Sequence, residues 1–159
     1  MTIAIATRLA PALAAGAAIA AVAPAAAEED HVLIPEGGFE YSAGPPSLPE
    51  GSEFAVLYGD PSAEGLFAMR LKLPDGYLIS PHTHPQPEVV TVISGSFEIG
   101  MGAEPDREAA QPLAAGSFFA FPPGMAHFAY ADEETVIQLN STGPWQIEYV
   151  DEGDDPRIN

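Results

Sequence analysis

His82, His84, Glu88 and His127 are the residues of this chain whose types and spacing could do chemistry. The chain has four histidines, and three of them fall, with one carboxylate, inside two glycine-bounded runs, residues 76–95 and 116–127. Imidazole nitrogens with a carboxylate oxygen form a donor set suited to a divalent first-row metal: iron, manganese, nickel, copper or zinc. Side chains alternate across a strand, so His82 and His84 point to one face and Thr83 to the other. Pro85 and Pro87 cannot donate to a ladder, and they predict a corner before a strand that opens at Glu88. Parity places Val90 and Val92 inward with Glu88, and turns Val89, Thr91 and Ile93 toward a lead-in strand or a partner. Gly95 permits a positive-φ turn that would send residues 97–101 back antiparallel. In the second run, Pro122-Pro123-Gly124 reverses a strand that begins at Gly116, and His127 starts the return strand. In a closed barrel these corners can face one cavity, where an octahedral metal would keep positions open for water, substrate or oxygen.

The spacings resemble the cupin superfamily. Its first motif is glycine, five residues, His-x-His, three or four residues, glutamate, six residues, glycine, and residues 76–95 match every fixed position. Its second is glycine, five residues, Pro-x-Gly, two residues, histidine, three residues, asparagine. Residues 116–127 match it, and Ala131 stands where the asparagine would be. That asparagine is not a metal ligand, so the ligand set is intact. Twenty residues separate Gly95 from Gly116, which indicates a compact single-domain member. The resemblance covers residues 54–150. It implies an all-β fold, a double-stranded β-helix or jelly-roll barrel that is often dimeric, with the metal inside. Family activities run from dioxygenases through isomerases and epimerases to sensing and storage proteins, so the fold does not choose among them.

The rest of the chain agrees with an all-β reading. Short apolar runs at 54–58, 66–73, 89–93, 97–101, 117–121, 127–131, 135–140 and 146–150 alternate with turn residues, and no ten-residue helical pattern interrupts them. Residues 102–115 read as a polar, mobile connection. Residues 28–53 read as an extended proline- and glycine-rich lead-in with an edge strand around 39–41, and the acidic tail, 151–159, is expected to fray. Parity from His127 puts the small Ala129 and Ala131 on the metal face, which leaves room for a ligand. Among large side chains, Met69, Tyr130 and Trp145 read as core, while Phe119 and Phe121 are the candidates to line a site. Gln86 and Glu98 are expected in solvent.

Composition narrows the function. A formal charge of −18 with five Lys plus Arg excludes nucleic acid and anionic lipid as partners. With no cysteine there is no thiolate ligand, thiol nucleophile or disulfide framework. Residues 1–27 have one charge, Arg8, a short apolar stretch broken by Pro11 and Gly16, and a small-residue exit at Ala25-Ala26-Ala27. These are the marks of a signal peptide cleaved after Ala27. A retained membrane anchor would need about 20 uninterrupted apolar residues. The expectation is a periplasmic or secreted protein with no membrane contact after cleavage, a small-molecule ligand and, by the resemblance, a homodimer. Two functions remain open. One is a metal-dependent oxygenase in which Glu88, detached from the metal, acts as base, or an isomerase if the metal is redox-inert. The other is a non-catalytic binding or sensing module.

Overall fold

The computed structural model of the protein describes residues 31–158. The leader expected over residues 1–27 lies outside them. The strongest local pattern is in Gly65–Leu73, where Phe67, Met69, Leu71 and Leu73 are buried and the intervening Ala68, Arg70 and Lys72 are not. That alternation lets one face of a strand enter a core while the other carries charge.

Eleven strands follow this logic among the described residues: β1 (Ser42–Ala43), β2 (Glu53–Tyr58), β3 (Gly65–Leu73), β4 (Tyr77–Thr83), β5 (Glu88–Ser94), β6 (Ser96–Met101), β7 (Gln111–Ala114), β8 (Phe118–Phe121), β9 (His127–Ala131), β10 (Thr135–Gly143) and β11 (Glu148–Tyr149). They form two antiparallel sheets, β1-β2-β3-β10-β5-β8 and β11-β4-β9-β6-β7. Their inner faces meet in one core built from alternate residues, among them Leu71, Val90, Phe97, Ile137 and Leu139. This is the expected all-β jelly roll.

The connections differ from the expected hairpins. β5 pairs with β10 and β8, whereas β6 pairs with β7 and β9, so the Gly95 turn carries the chain from one sheet to the other. Gly95 has φ 83°, and a Cβ there would stand 2.5 Å from the Glu134 carbonyl oxygen. The chain crosses sheets again from β4 to β5 and from β8 to β9. Each of the two motifs therefore spans one of these latter two crossings, which end at Glu88 and at His127. The crossings are tied together, since the Gly124 N–H donates to the His84 carbonyl at 2.9 Å.

Three further expectations are corrected. The edge strand near 39–41 forms at Ser42–Ala43, and the rings of Phe39 and Tyr41 lie against Arg70 and Lys72. Residues 102–115 hold regular structure: Asp106 caps a 3-10 turn at Arg107–Ala109, and β7 forms the sheet edge, where Pro112 costs no ladder bond. The tail is anchored through its described residues, because Arg157 pairs with Asp155 and donates from Nη2 to the Ile147 carbonyl at 3.0 Å.

Candidate metal centre

His82 lies one residue before the end of β4 and His127 begins β9, and the two are register partners across the sheet. A β-bulge makes this possible. The β4–β9 register shifts between Ile79 and His82, and Pro81 and His82 are buried consecutively, so the inward parity of Tyr77 and Ile79 passes to His82 and then His84. Glu88 arrives from the opposite sheet, inward with Val90 and Val92 as parity requires. All four expected residues are buried: His82 at 3% exposure, His84 at 5%, Glu88 at 7% and His127 at 2%.

The heads converge. One ring nitrogen from each of His82, His84 and His127 lies within 4.8 Å of the others. Glu88 closes the group, with Oε2 3.1 Å from His127 Nε2 and Oε1 3.7 Å from His84 Nε2. Every imidazole is fixed from behind by a backbone carbonyl. His82 Nδ1 lies 2.8 Å from the Ser80 oxygen, His84 Nδ1 2.7 Å from that of Gln146, and His127 Nδ1 2.9 Å from that of Met125. A carbonyl only accepts, so Nδ1 carries the proton in each ring and Nε2 of the neutral ring presents a lone pair.

The electrostatics favour the neutral form of His82 and His84. Burial, then the neighbouring His127 and His84, holds His82 well below the ordinary histidine value. Burial also lowers His84, against the opposing pull of the Glu88 charge and the Gln146 carbonyl. His84 Nε2 and Glu88 Oε2 are buried and have no hydrogen-bond partner. The 3.1 Å approach of Glu88 Oε2 to His127 Nε2 is thus close in distance but lacks the geometry of a hydrogen bond. Orphaned polar atoms of this kind are rare in folded proteins and want a partner. A divalent cation among three nitrogens and a carboxylate supplies one, so the residues fit a transition metal.

The cluster opens on an apolar cavity of about 210 Å3, walled by Met69, Ile79, Ile99, Ile137, Leu139 and Trp145 among others. Phe119 lines it as expected, and Phe121 packs its ring 5.0 Å from that of His127. Ala129 faces the cavity, whereas Ala131 is buried between Tyr77 and Phe97. Tyr130 is on the outer face beneath Arg107, which also pairs with Glu98. Gln86 is half-buried, and its side-chain oxygen is shielded from solvent without a partner.

Sequence reasoning placed one contributor in the core and passed over two others. Trp145 stacks on His84 with ring centroids 4.1 Å apart, the Gln146 carbonyl orients the same ring, and Pro45, Ser47 and Leu48 of the lead-in close one side of the cavity. The lead-in is held there by the Tyr149 hydroxyl, which donates to the Ser47 carbonyl at 2.8 Å. A lone tryptophan behind Gly143-Pro144 was the available signal, since large aromatic side chains beside a turn often cover a site.

The family model described as Cupin matches residues 60–147, more than half of the chain. This chain belongs to the cupin family. Among curated relatives, this cupin is 37% identical over 89 residues to germin-like protein 3-1 of Oryza sativa subsp. japonica, covering 52% of this chain and 40% of that protein. It is 38% identical over 65 residues to germin-like protein subfamily 2 member 1 of Arabidopsis thaliana, covering 40% of this chain and 30% of the other. The cupin thus spans less than half the length of these relatives. In fold it resembles an acetylacetone dioxygenase from Acinetobacter johnsonii, with TM-score 0.61 and 17% identity over 86% of this chain and 88% of that one. Among the described residues no helix is long and apolar enough to cross a membrane.

Proposed function

We propose that this cupin is a metal-dependent oxygenase acting on a small organic molecule, with one divalent transition metal held by His82, His84, His127 and Glu88. A redox-active ion there supplies Lewis acidity and electron exchange with dioxygen. The chain supplies the rest. The carbonyls of Ser80, Gln146 and Met125 keep the Nδ1 protons in place and aim each Nε2 inward. Trp145 fixes the plane of His84. The apolar walls exclude water from the reacting groups. Glu88 would help hold the ion and, as the one carboxylate of the cluster, would take up a substrate proton. The observation that carries the reading is the pair of buried, unpartnered lone-pair atoms, His84 Nε2 and Glu88 Oε2, beside two more imidazoles.

The test is elemental analysis of the exported protein beside a His82→Ala, His127→Ala double variant, followed by oxygen uptake with diketones, catechols and thiols. One ion per chain, lost in the double variant, supports the reading, and equal metal in both proteins defeats it. A second reading, a non-catalytic binding or sensing module, is favoured by one feature. Apart from the cluster, the only side chains with ionisable or hydroxyl protons among the described cavity-lining residues are Ser47 and Ser62. Absence of oxygen uptake with every loaded metal would select it. The signal-like composition of residues 1–27 supports export to the periplasm or medium, and an intact mass beginning at Glu28 is the expected result.

A further inference from the structure

We infer that the cavity takes an uncharged, mostly hydrocarbon molecule of about eight heavy atoms whose single polar end lies at the histidine cluster. This rests on the reading of that cluster as the ligand-binding end. The size follows from the cavity, about 210 Å3, since an apolar cavity of roughly 150 Å3 accommodates benzene. The charge follows from the lining. No lysine or arginine borders the cavity, and outside the cluster its polar side-chain groups are uncharged: the Ser47 and Ser62 hydroxyls and the Trp145 indole N–H. A carboxylate away from the cluster would be desolvated among Met69, Ile137 and Leu139 with no counter-charge, and one at the metal-free cluster would meet the Glu88 carboxylate. A dicarboxylate therefore has no place for its second charge. The chain's formal charge of −18 opposes the approach of anions as well. A cationic end at the cluster would meet the metal ion itself.

Trp145 gives the readout, because it is the chain's only tryptophan and it lines the cavity. Its emission is titrated in the full chain, chelator-treated and manganese-loaded, with cyclopentyl methyl ketone and with cyclopentanecarboxylate, matched probes of about eight heavy atoms. In the chelator-treated protein the ketone should give a saturable shift and bind at least about thirtyfold more tightly than the carboxylate. Leu48→Arg, on the half-buried lead-in where a long side chain can reach solvent, should narrow that gap to under about threefold by supplying a cation. In the chelator-treated protein, a carboxylate that binds as well as the ketone, or a ketone that gives no saturable shift, overturns the inference. Should Leu48→Arg fail to fold, the wild-type comparison decides alone. If elemental analysis finds no ion, the metal reading fails while the ketone preference stands, so the two failures are distinguishable.

Discussion

Replacing Glu88 with glutamine should have opposite effects on the metal-free and metal-loaded protein. In the metal-free protein at about pH 8, the three rings hold their protons on Nδ1, so the Glu88 oxygens face nitrogen lone pairs at 3.1 and 3.7 Å. Like-signed dipoles and a buried charge with no donor cost roughly 1–3 kcal/mol or more. A glutamine amide has the same shape, no charge, and two N–H groups that can donate to His127 and His84. The metal-free Glu88→Gln protein should therefore be about 1–3 kcal/mol more stable, a rise of roughly 3–12 °C in melting temperature for a domain of this size. Metal binding should change the other way. Loss of an outer-shell partner of a ligand costs about 10–100-fold in affinity, and loss of an anionic ligand costs no less. The assays are thermal melting after chelation, with and without added manganese, and calorimetric titration of the metal. A Glu88→Gln protein that is less stable without metal, or that binds metal as tightly as the wild type, would refute the reasoning. Either result would make Glu88 a structural residue, not one held in place for an ion.

Two further outcomes follow from the same geometry. His82 and His84, which face Glu88, His127 and Tyr149, are both held below the ordinary value of 6.5, so the unfolded chain takes up protons there that the folded chain refuses. Stability of the metal-free protein should be full above about pH 6.5 and fall as pH drops below it, by about 1–3 kcal/mol near pH 5.5, with a shallower slope in His82→Gln. Urea unfolding across that range checks it, and a stability that rises on acidification would contradict the sign. The glycines bounding the first motif should separate cleanly. Gly76 has φ 73° with open space where a Cβ would go, so Gly76→Ala should cost only the left-handed penalty of about 1–2 kcal/mol. Gly95→Ala adds contacts of 2.5 Å to the Glu134 carbonyl and 2.7 Å to the Thr135 backbone, and should cost at least about 3 kcal/mol. Equal costs in urea unfolding would show that the Gly95 corner can open.

What was legible in the sequence was whatever depends on local period. The inward sets Phe67-Met69-Leu71-Leu73 and Glu88-Val90-Val92 follow from two-residue alternation, and so does the shared face of His82 and His84. The four site residues were legible too, because proline and glycine mark their corners. The partner of each strand was not legible. Gly95 reads as a hairpin because a glycine between two apolar runs usually makes one, yet the same positive φ serves a crossing between sheets. The bulge at Pro81–His82 was equally hidden, since alternation carried back from His82 would have turned Tyr77 and Ile79 outward. The covering roles of Trp145 and Leu48 depend on contacts between residues far apart in the chain, and no local pattern encodes those.

These two hidden features together make the site. Had β4–β5 and β8–β9 been hairpins, each motif would lie within one sheet, and Glu88 would sit beside His84 on a single surface open to water. Because both corners cross, Glu88 approaches from the sheet opposite the one that carries His82 and His127. The bulge then turns His82 in β4, and His84 just after it, into the gap without exposing the core residues ahead of them. Closing four polar heads inside an apolar barrel costs stability in the metal-free protein. The three carbonyl bonds to Nδ1 offset part of that cost, but none of them reaches His84 Nε2 or Glu88 Oε2. The remaining deficit is concentrated on the side of the cluster that faces the cavity. A purely structural network would have placed donors there, so the orphaned pair marks the point where a ligand completes the fold.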